Sequence, residues 1–441
     1  MPPGEDQPLG RAPLRVPRPL REFLREETAG GAVLVVAVTV ALAWANSPWR
    51  AAAEALWHTR LAVRLGDATL DDDLRGWVNE GLMAVFFLVV GLELKRELVA
   101  GELGGWRQAA LPVVAAAGGM AVPAAVYALL NAGGPGARGW GVPMATDVAF
   151  ALGALALLGT RVPAALKVLL LALAVVDDLG SIVVVAVFYR QDVRLPALAA
   201  AAGLLLAAAG LRRARIAWAP AVAAVALGLW LALRQGGVSP ALAGAAVGLL
   251  APARPVSRPG RVRERSDALA GTPGPGPVRD VVREARGTVS VAERLAHALH
   301  PLSAFLVVPL FALANAGVGV EAGALGRPGS TGVLAGILAG RVLGKPAGIL
   351  LAAWLAVRCG LGRLPAGVAW RHLAGMATVA GIGFTVPLFV ADLAFPAGEF
   401  AAAVKLGLLA ASLLAGLGGL LVLRTARPAG GRAPAGPPRR G

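Results

Sequence analysis

Apolar residues in this 441-residue chain run in long blocks parted by short polar stretches, not in the alternation that marks half-buried elements. A block of about 20 apolar residues at 1.5 Å rise crosses a bilayer. Such blocks fall at residues 30–48, 77–94, 109–131, 140–159, 163–189, 195–211, 216–233, 235–252, 291–319, 331–357, 372–394 and 401–423. The pattern predicts an all-α polytopic membrane protein of twelve transmembrane helices. It divides into an N-terminal segment 1–29, a helical domain 30–424 and a tail 425–441. The least typical blocks are 77–94, which contains Glu80 and Glu93, and 291–319, which begins polar. Between the first two blocks, Leu-Ala-Val-Arg-Leu-Gly-Asp-Ala-Thr-Leu (61–70) alternates around Gly66-Asp67 and predicts a small β-hairpin. Its unpaired edges suit pairing with a second copy, so a homodimer through 61–70 is expected. Residues 253–289 carry Gly-Thr-Pro-Gly-Pro-Gly-Pro and eight arginines, and are expected to form a flexible linker.

Composition agrees. Hydrophobic residues make up 57% and charged residues only 15%, against about 25% charged in soluble domains, so the chain is expected to be solvated by lipid. The net charge of +16 does not point to nucleic acid, because the basic residues sit in short clusters between apolar blocks. Twelve spans put both ends on one side. Segments on that side hold 28 of the 42 Lys and Arg, and the opposite loops hold nine, which predicts cytoplasmic termini. The first block, Thr28–Trp49, has no small-x-small cleavage pattern and reads as a retained span. The single cysteine, Cys359, excludes an internal disulfide and a Cys-based metal site.

Charges inside the blocks carry the chemistry, since an ionisable group at the bilayer centre costs at least about 2.5–3.5 kcal/mol. Asp147 lies near mid-depth in 140–159, where Pro143 and Thr146-Asp147 disfavour a continuous helix. Asp177 and Asp178 fall midway along 163–189, and Lys345 midway along 331–357. Adjacent helix positions point about 100° apart, so one of the two aspartates can face Asp147 while the other faces elsewhere, with Lys345 the obvious counter-charge. Carboxylate oxygens are hard ligands for small hard cations. Carboxylates crowded in low dielectric resist ionising together, so protons compete with the cation. Competition at a site that alternates between membrane faces is exchange. A second irregular block, Ala-Gly-Ile-Gly-Phe-Thr-Val-Pro (380–387), predicts another break. Blocks 109–189 and 331–423 each contain three spans with the break in the middle one, the pattern of inverted repeats with a midplane site. Asp147 can then offset the positive helix ends at the breaks and Lys345 the negative ones.

Ala145-Thr146-Asp147 with Ala149-Phe150-Ala151-Leu152-Gly153, Asp177-Asp178-Leu179-Gly180, Gly344-Lys345-Pro346 and Gly381-Ile382-Gly383-Phe384-Thr385 resemble the NhaA-type sodium/proton antiporters. So do Leu82–Phe87, Gly91–Glu97, His300-Pro301 and Pro309–Gly317, in order over about residues 27–423. That family is itself a standard instance of inverted repeats and broken helices. The resemblance implies a multi-pass bacterial inner-membrane transporter, not an enzyme, with two crossing broken helices, 140–159 and 372–394. It implies electrogenic, pH-dependent expulsion of Na⁺ or Li⁺ for external H⁺, these ions being cargo and no cofactor being needed. It implies cation and proton binding at Asp147 and Asp178 with Thr146 nearby, and an Asp177–Lys345 pair that breaks on activation. Glu93, Arg96 and Glu97 would line a cytoplasmic funnel and take part in the pH response, with His297 at the cytoplasmic end of its span. The chain departs from the family at Ser239-Pro240-Ala241, where His-Ala-Thr is common, at Ala296, where an acidic residue is common, and at Glu80, where aspartate is common. The first two bear on the pH profile. A sodium-coupled symporter would need a larger polar cavity. An intramembrane aspartyl protease would need a two-aspartate dyad that Lys345 would disturb.

Overall fold

The structure, a computed structural model, describes residues 18–65, 68–101, 104–190, 193–213, 219–255, 262–263, 266, 275–318, 326–395 and 398–426. The Gly66-Asp67 tip, most of 256–274, residues 1–17 and the tail from 427 lie outside the described residues. Helices α1 (Arg18–Ala45) and α2 (Arg50–Trp57) lead into strands β1 (Arg60–Leu65) and β2 (Ala68–Asp73). There follow α3 (Met83–Ala100), α4 (Trp106–Leu130), α5 (Val148–Ala156), α6 (Ala164–Phe188), α7 (Leu195–Arg213), α8 (Ala219–Gln235) and α9 (Leu242–Leu250). The remainder comprises α10 (Pro275–Gly287), α11 (Val291–Leu302), α12 (Val308–Asn315), α13 (Ser330–Ala339), α14 (Lys345–Arg358), α15 (Trp370–Val379), α16 (Thr385–Ala394) and α17 (Ala401–Thr425).

Six helices among the described residues are long and apolar enough to cross a membrane: Gln108–Leu130, Ala164–Phe188, Leu195–Arg213, Val291–Asn315, Ser330–Arg358 and Ala401–Thr425. Ala29–Ala45 and Arg50–Trp57, bent by 115°, make a seventh if they count as one span. The other predicted blocks are also helical, but α3 carries Glu93, Lys95, Arg96 and Glu97, α9 is short, and 140–159 and 372–394 are interrupted. The burial pattern is that of a protein in lipid. Leu157 and Leu206 are 79% and 74% exposed, whereas Asp177, Arg341 and Lys345 are wholly buried. The chain is a multi-pass membrane protein.

Helix association in lipid rests on close packing, because lipid tails are as apolar as leucine. Between α4 and α14 the contact is backbone on backbone. A Cβ at Gly118 would stand 2.4 Å from the Gly348 carbonyl oxygen, and one at Gly348 would stand 2.1 Å from that of Gly118. Gly348 lies one turn from Lys345, so this contact sets how deeply the lysine reaches. Just before it, Gly340–Gly344 forms a widened π turn. Pro346, with no N–H to donate, weakens the ladder there and lets it slip.

The hairpin forms as expected and runs longer, antiparallel from Arg60↔Asp73 to Leu65↔Ala68. Asp72 Oδ2 accepts from Arg234 of α8 at 2.7 Å, the same guanidinium bonds Glu80, and Trp77 Nε1 donates to the Leu61 carbonyl at 2.8 Å. Segment 253–289 differs from the expectation in its second half, which is the helix α10. Pro275 and Pro277 occupy its first turn, where no N–H is required, and Val278, Val281 and Val282 follow at helical spacing. Gly348→Leu should overpack the α4–α14 contact, lowering stability by about 1–3 kcal/mol. That would appear as a reduced melting temperature in detergent, while Gly153→Ala, with nothing within 4 Å of its Cβ, should leave it unchanged.

Candidate cation site

Two helix interruptions meet in the core. Residues 145–147 leave the helix ahead of α5, with Asp147 extended, and residues 382–384 leave it between α15 and α16. Asp147 N donates to the Ile382 carbonyl at 3.0 Å, joining them. Away from water, every backbone group of such segments needs a protein partner. Lys345 Nζ donates to the Met144 carbonyl. Arg341 NH2 donates to the Ala145 carbonyl at 3.0 Å and its Nε to the Gly381 carbonyl at 3.1 Å. Thr146 Oγ1 lies 3.0 Å from the Ala380 carbonyl, sharing its single proton between that oxygen and Asp177, and Ser412 Oγ both donates to and accepts from Gly383. Gly383 must be glycine, because a Cβ there would stand 2.0 Å from Arg341 NH2.

The adjacent aspartates divide their roles. Asp177 Oδ2 accepts from Lys345 Nζ at 2.7 Å and from Thr146 Oγ1 at 2.8 Å. Asp178 turns into a cavity of about 90 Å³ that is also lined by Asp147, Thr146, Thr385, Glu93 and His300. Asp147 Oδ2 accepts from Thr385 Oγ1 at 2.9 Å and from Thr385 N at 3.5 Å, so it caps the positive N-terminal end of α16. The charges of Asp177, Asp147 and Glu93 surround Asp178, opposed by Lys345. Among the described residues, Asp178 Oδ1 and Ser181 Oγ, three residues along α6, are buried without a hydrogen bond. These are hard oxygens near carboxylates, a donor set that suits Na⁺ better than a transition metal. A larger cleft of about 790 Å³, lined by Gln108, Leu169 and Arg363 among others, holds none of these carboxylates.

The predicted residues Thr146, Asp147, Asp177, Asp178 and Lys345 therefore come together, and Glu93 reaches the cavity wall. Arg96 and Glu97 do not line it. They lie a turn beyond, 3.5 Å apart at the partly exposed end of α3. His297 is exposed, and His300, one turn on, lines the cavity instead. Sequence reasoning missed two residues. Arg341 stands out in the sequence only as an arginine inside an apolar block, and Thr385 only as part of the irregular stretch 380–387.

The sequence model of the "Na+/H+ antiporter 1" family matches residues 21–423. Similar proteins include "Na(+)/H(+) antiporter NhaA 2" of Sorangium cellulosum, 45% identical over 441 residues, covering 96% of this chain and 94% of that one. The NhaA antiporter of an Anaeromyxobacter strain is 46% identical over 431 residues, covering 95% and 94%.

Arg341→Met should leave the Ala145 and Gly381 carbonyls without their donors, at about 1–3 kcal/mol for each buried group. Arg341→Lys should recover only part of this, since one ammonium does not reproduce the planar fork. Thermal unfolding of the purified protein in detergent should rank parent above Lys above Met.

Proposed function

The chain belongs to the Na⁺/H⁺ antiporter 1 family, and on that premise we propose that it expels Na⁺ or Li⁺ in exchange for external protons by letting cation and proton compete for Asp147 and Asp178. The observation that carries this reading is one small cavity faced by both carboxylates, with the Asp177–Lys345 pair directly behind it. A space of about 90 Å³ admits an ion and a few waters but no organic solute, which favours exchange over solute symport.

In this mechanism the cation binds Asp178 and Asp147 with Thr146 at the rim, and displaces the proton they hold. Thr146 is bonded to Asp177, so cation arrival bears on the Asp177–Lys345 pair. Electrogenic exchange needs more than one proton per cation, and Lys345 is the second proton-bearing group once that pair breaks. Glu93, Arg96, Glu97 and His297 would set the pH response from the cytoplasmic end, and the cavity wall at Glu93 supports the first of these. We read the chain as twelve spans in inverted repeats, with both termini cytoplasmic in a bacterial inner membrane. The joined interruptions at 145–147 and 382–384 support the crossing of two broken helices. A homodimer through the hairpin is supported by Leu61 and Val63, 48% and 47% exposed on one face of β1.

Vesicles loaded with a pH-sensitive dye test the exchange. Added Na⁺ should dissipate an imposed pH gradient, and Asp178→Asn should reduce this at least a hundredfold. Undiminished exchange in that variant would remove Asp178 from the site. Lys345→Ala leaves Asp177 as a lone buried charge, for which breaking a buried pair costs about 3–5 kcal/mol. It should lower the melting temperature or displace the pH–rate profile, and a variant unchanged in both would refute the pairing.

A further inference from the structure

A second polar cluster lies beyond the cavity, built by the same elements. Thr385 and Val308 line the cavity, and seven residues further along their helices stand Asp392 and Asn315. Seven residues are close to two turns, so each pair shares a helix face at about 10 Å of rise. On the third element, Phe86 lines the cavity and Asn79 precedes it by seven residues, in the wide turn Trp77–Leu82. The three distal residues meet. Asn315 Nδ2 donates to Asn79 Oδ1 at 2.6 Å, and Asn79 Nδ2 approaches both Asn315 Oδ1 and Asp392 Oδ2 at 3.3 Å. The cluster thus continues the line of the cavity toward the hairpin end of the bundle. Between the two, Phe87 and Phe389 close the line with ring centroids 5.3 Å apart. Residues 381–391 are all buried, and Asp392 and Leu393 are half-buried.

Two positive charges act on Asp392: Lys405 of α17, whose Nζ donates to the Gly317 carbonyl at 2.7 Å, and Arg75 in the turn Leu74–Gly76. Neither forms a direct ion pair with it among the described residues. The two neighbouring cations repel a metal ion from this carboxylate, while the half-buried carboxylate can still take a proton. We propose that Asp392 is a proton site on the outward half of the transport path, separate from the cation site. It binds a proton from water at the hairpin end. When the Phe87–Phe389 contact opens, it releases that proton through water to the Asp147–Asp178 carboxylates as the cation departs, and returns to the carboxylate form. Lys405 and Arg75 keep Na⁺ from lodging there. This inference rests on the proposed exchange and its orientation.

The test uses the full chain in oriented proteoliposomes, with Na⁺ efflux followed as external pH is varied at fixed internal pH. Asp392→Asn keeps an oxygen for Asn79 to donate to and removes the proton. It should cut the rate about tenfold and flatten the external-pH dependence, with sodium affinity by calorimetry unchanged. Lys405→Met removes a positive neighbour, so Asp392 should keep its proton to higher pH, moving the half-maximal external pH up by roughly one unit. An external-pH profile identical to the parent's in Asp392→Asn, or a tenfold loss of sodium affinity in that variant, overturns the inference. If Asp392→Asn does not fold, an unshifted profile in Lys405→Met does the same. A parent that moves no Na⁺ rejects the exchange reading itself, whereas a parent that exchanges while both variants keep its profile rejects only the role of Asp392.

Discussion

Backbone that leaves the helix inside an apolar medium has to find every hydrogen bond within the protein, and this requirement organises the centre of the molecule. Non-helical peptides at 145–147 and 382–384 expose carbonyls and amides in the buried centre of the bundle. Two cationic side chains from one helix face, Arg341 and Lys345, supply donors to the Met144, Ala145 and Gly381 carbonyls. Their charge then demands acid nearby, and Asp177 and Asp147 provide it. The carboxylates are in this sense a consequence of the breaks, and the breaks are what bring two helix ends and a small space to the same depth.

The requirement also explains why neighbours in sequence do different things. Asp177 is committed to Lys345 and Thr146, with side-chain bonds that fix it in the wall. Asp178, rotated by about 100°, turns into the cavity instead of toward Lys345. A committed carboxylate and an uncommitted one, side by side on one helix, give the site a rigid half and a responsive half. Thr146, bonded to the first and lining the space faced by the second, joins the halves.

Asp147, Asp177, Asp178 and Lys345 were legible in the sequence because charges inside apolar blocks are expensive and therefore conspicuous. Which aspartate turns toward Lys345 was not legible from spacing, since the rotational phase of a helix is set by its neighbours. Thr385 escaped because a hydroxyl at a break reads equally well as turn chemistry. The Asn79–Asn315–Asp392 contacts link positions 236 and 313 residues apart, and each residue alone looks like an incidental polar position. Hydropathy located the helical stretches, and Pro, Gly and Thr residues marked both interruptions, but neither registers the widened turns at Trp77–Leu82 and Gly340–Gly344. The arginine-rich segment misled in part, because its Gly-Pro run ends inside the first turn of a helix, where proline is tolerated.

The glycine contact between α4 and α14 has a bearing on turnover. At Gly118 and Gly348 the two backbones interlock like cogs, with the Ala352, Ile349 and Val122 side chains wedged beside them. Any rearrangement that shifts the helix bearing Lys345 must therefore drag α4 along as one plank. The effort of switching faces is spread over that whole block, and its pace is governed in part by a helix that contributes no charge to the carboxylate cluster.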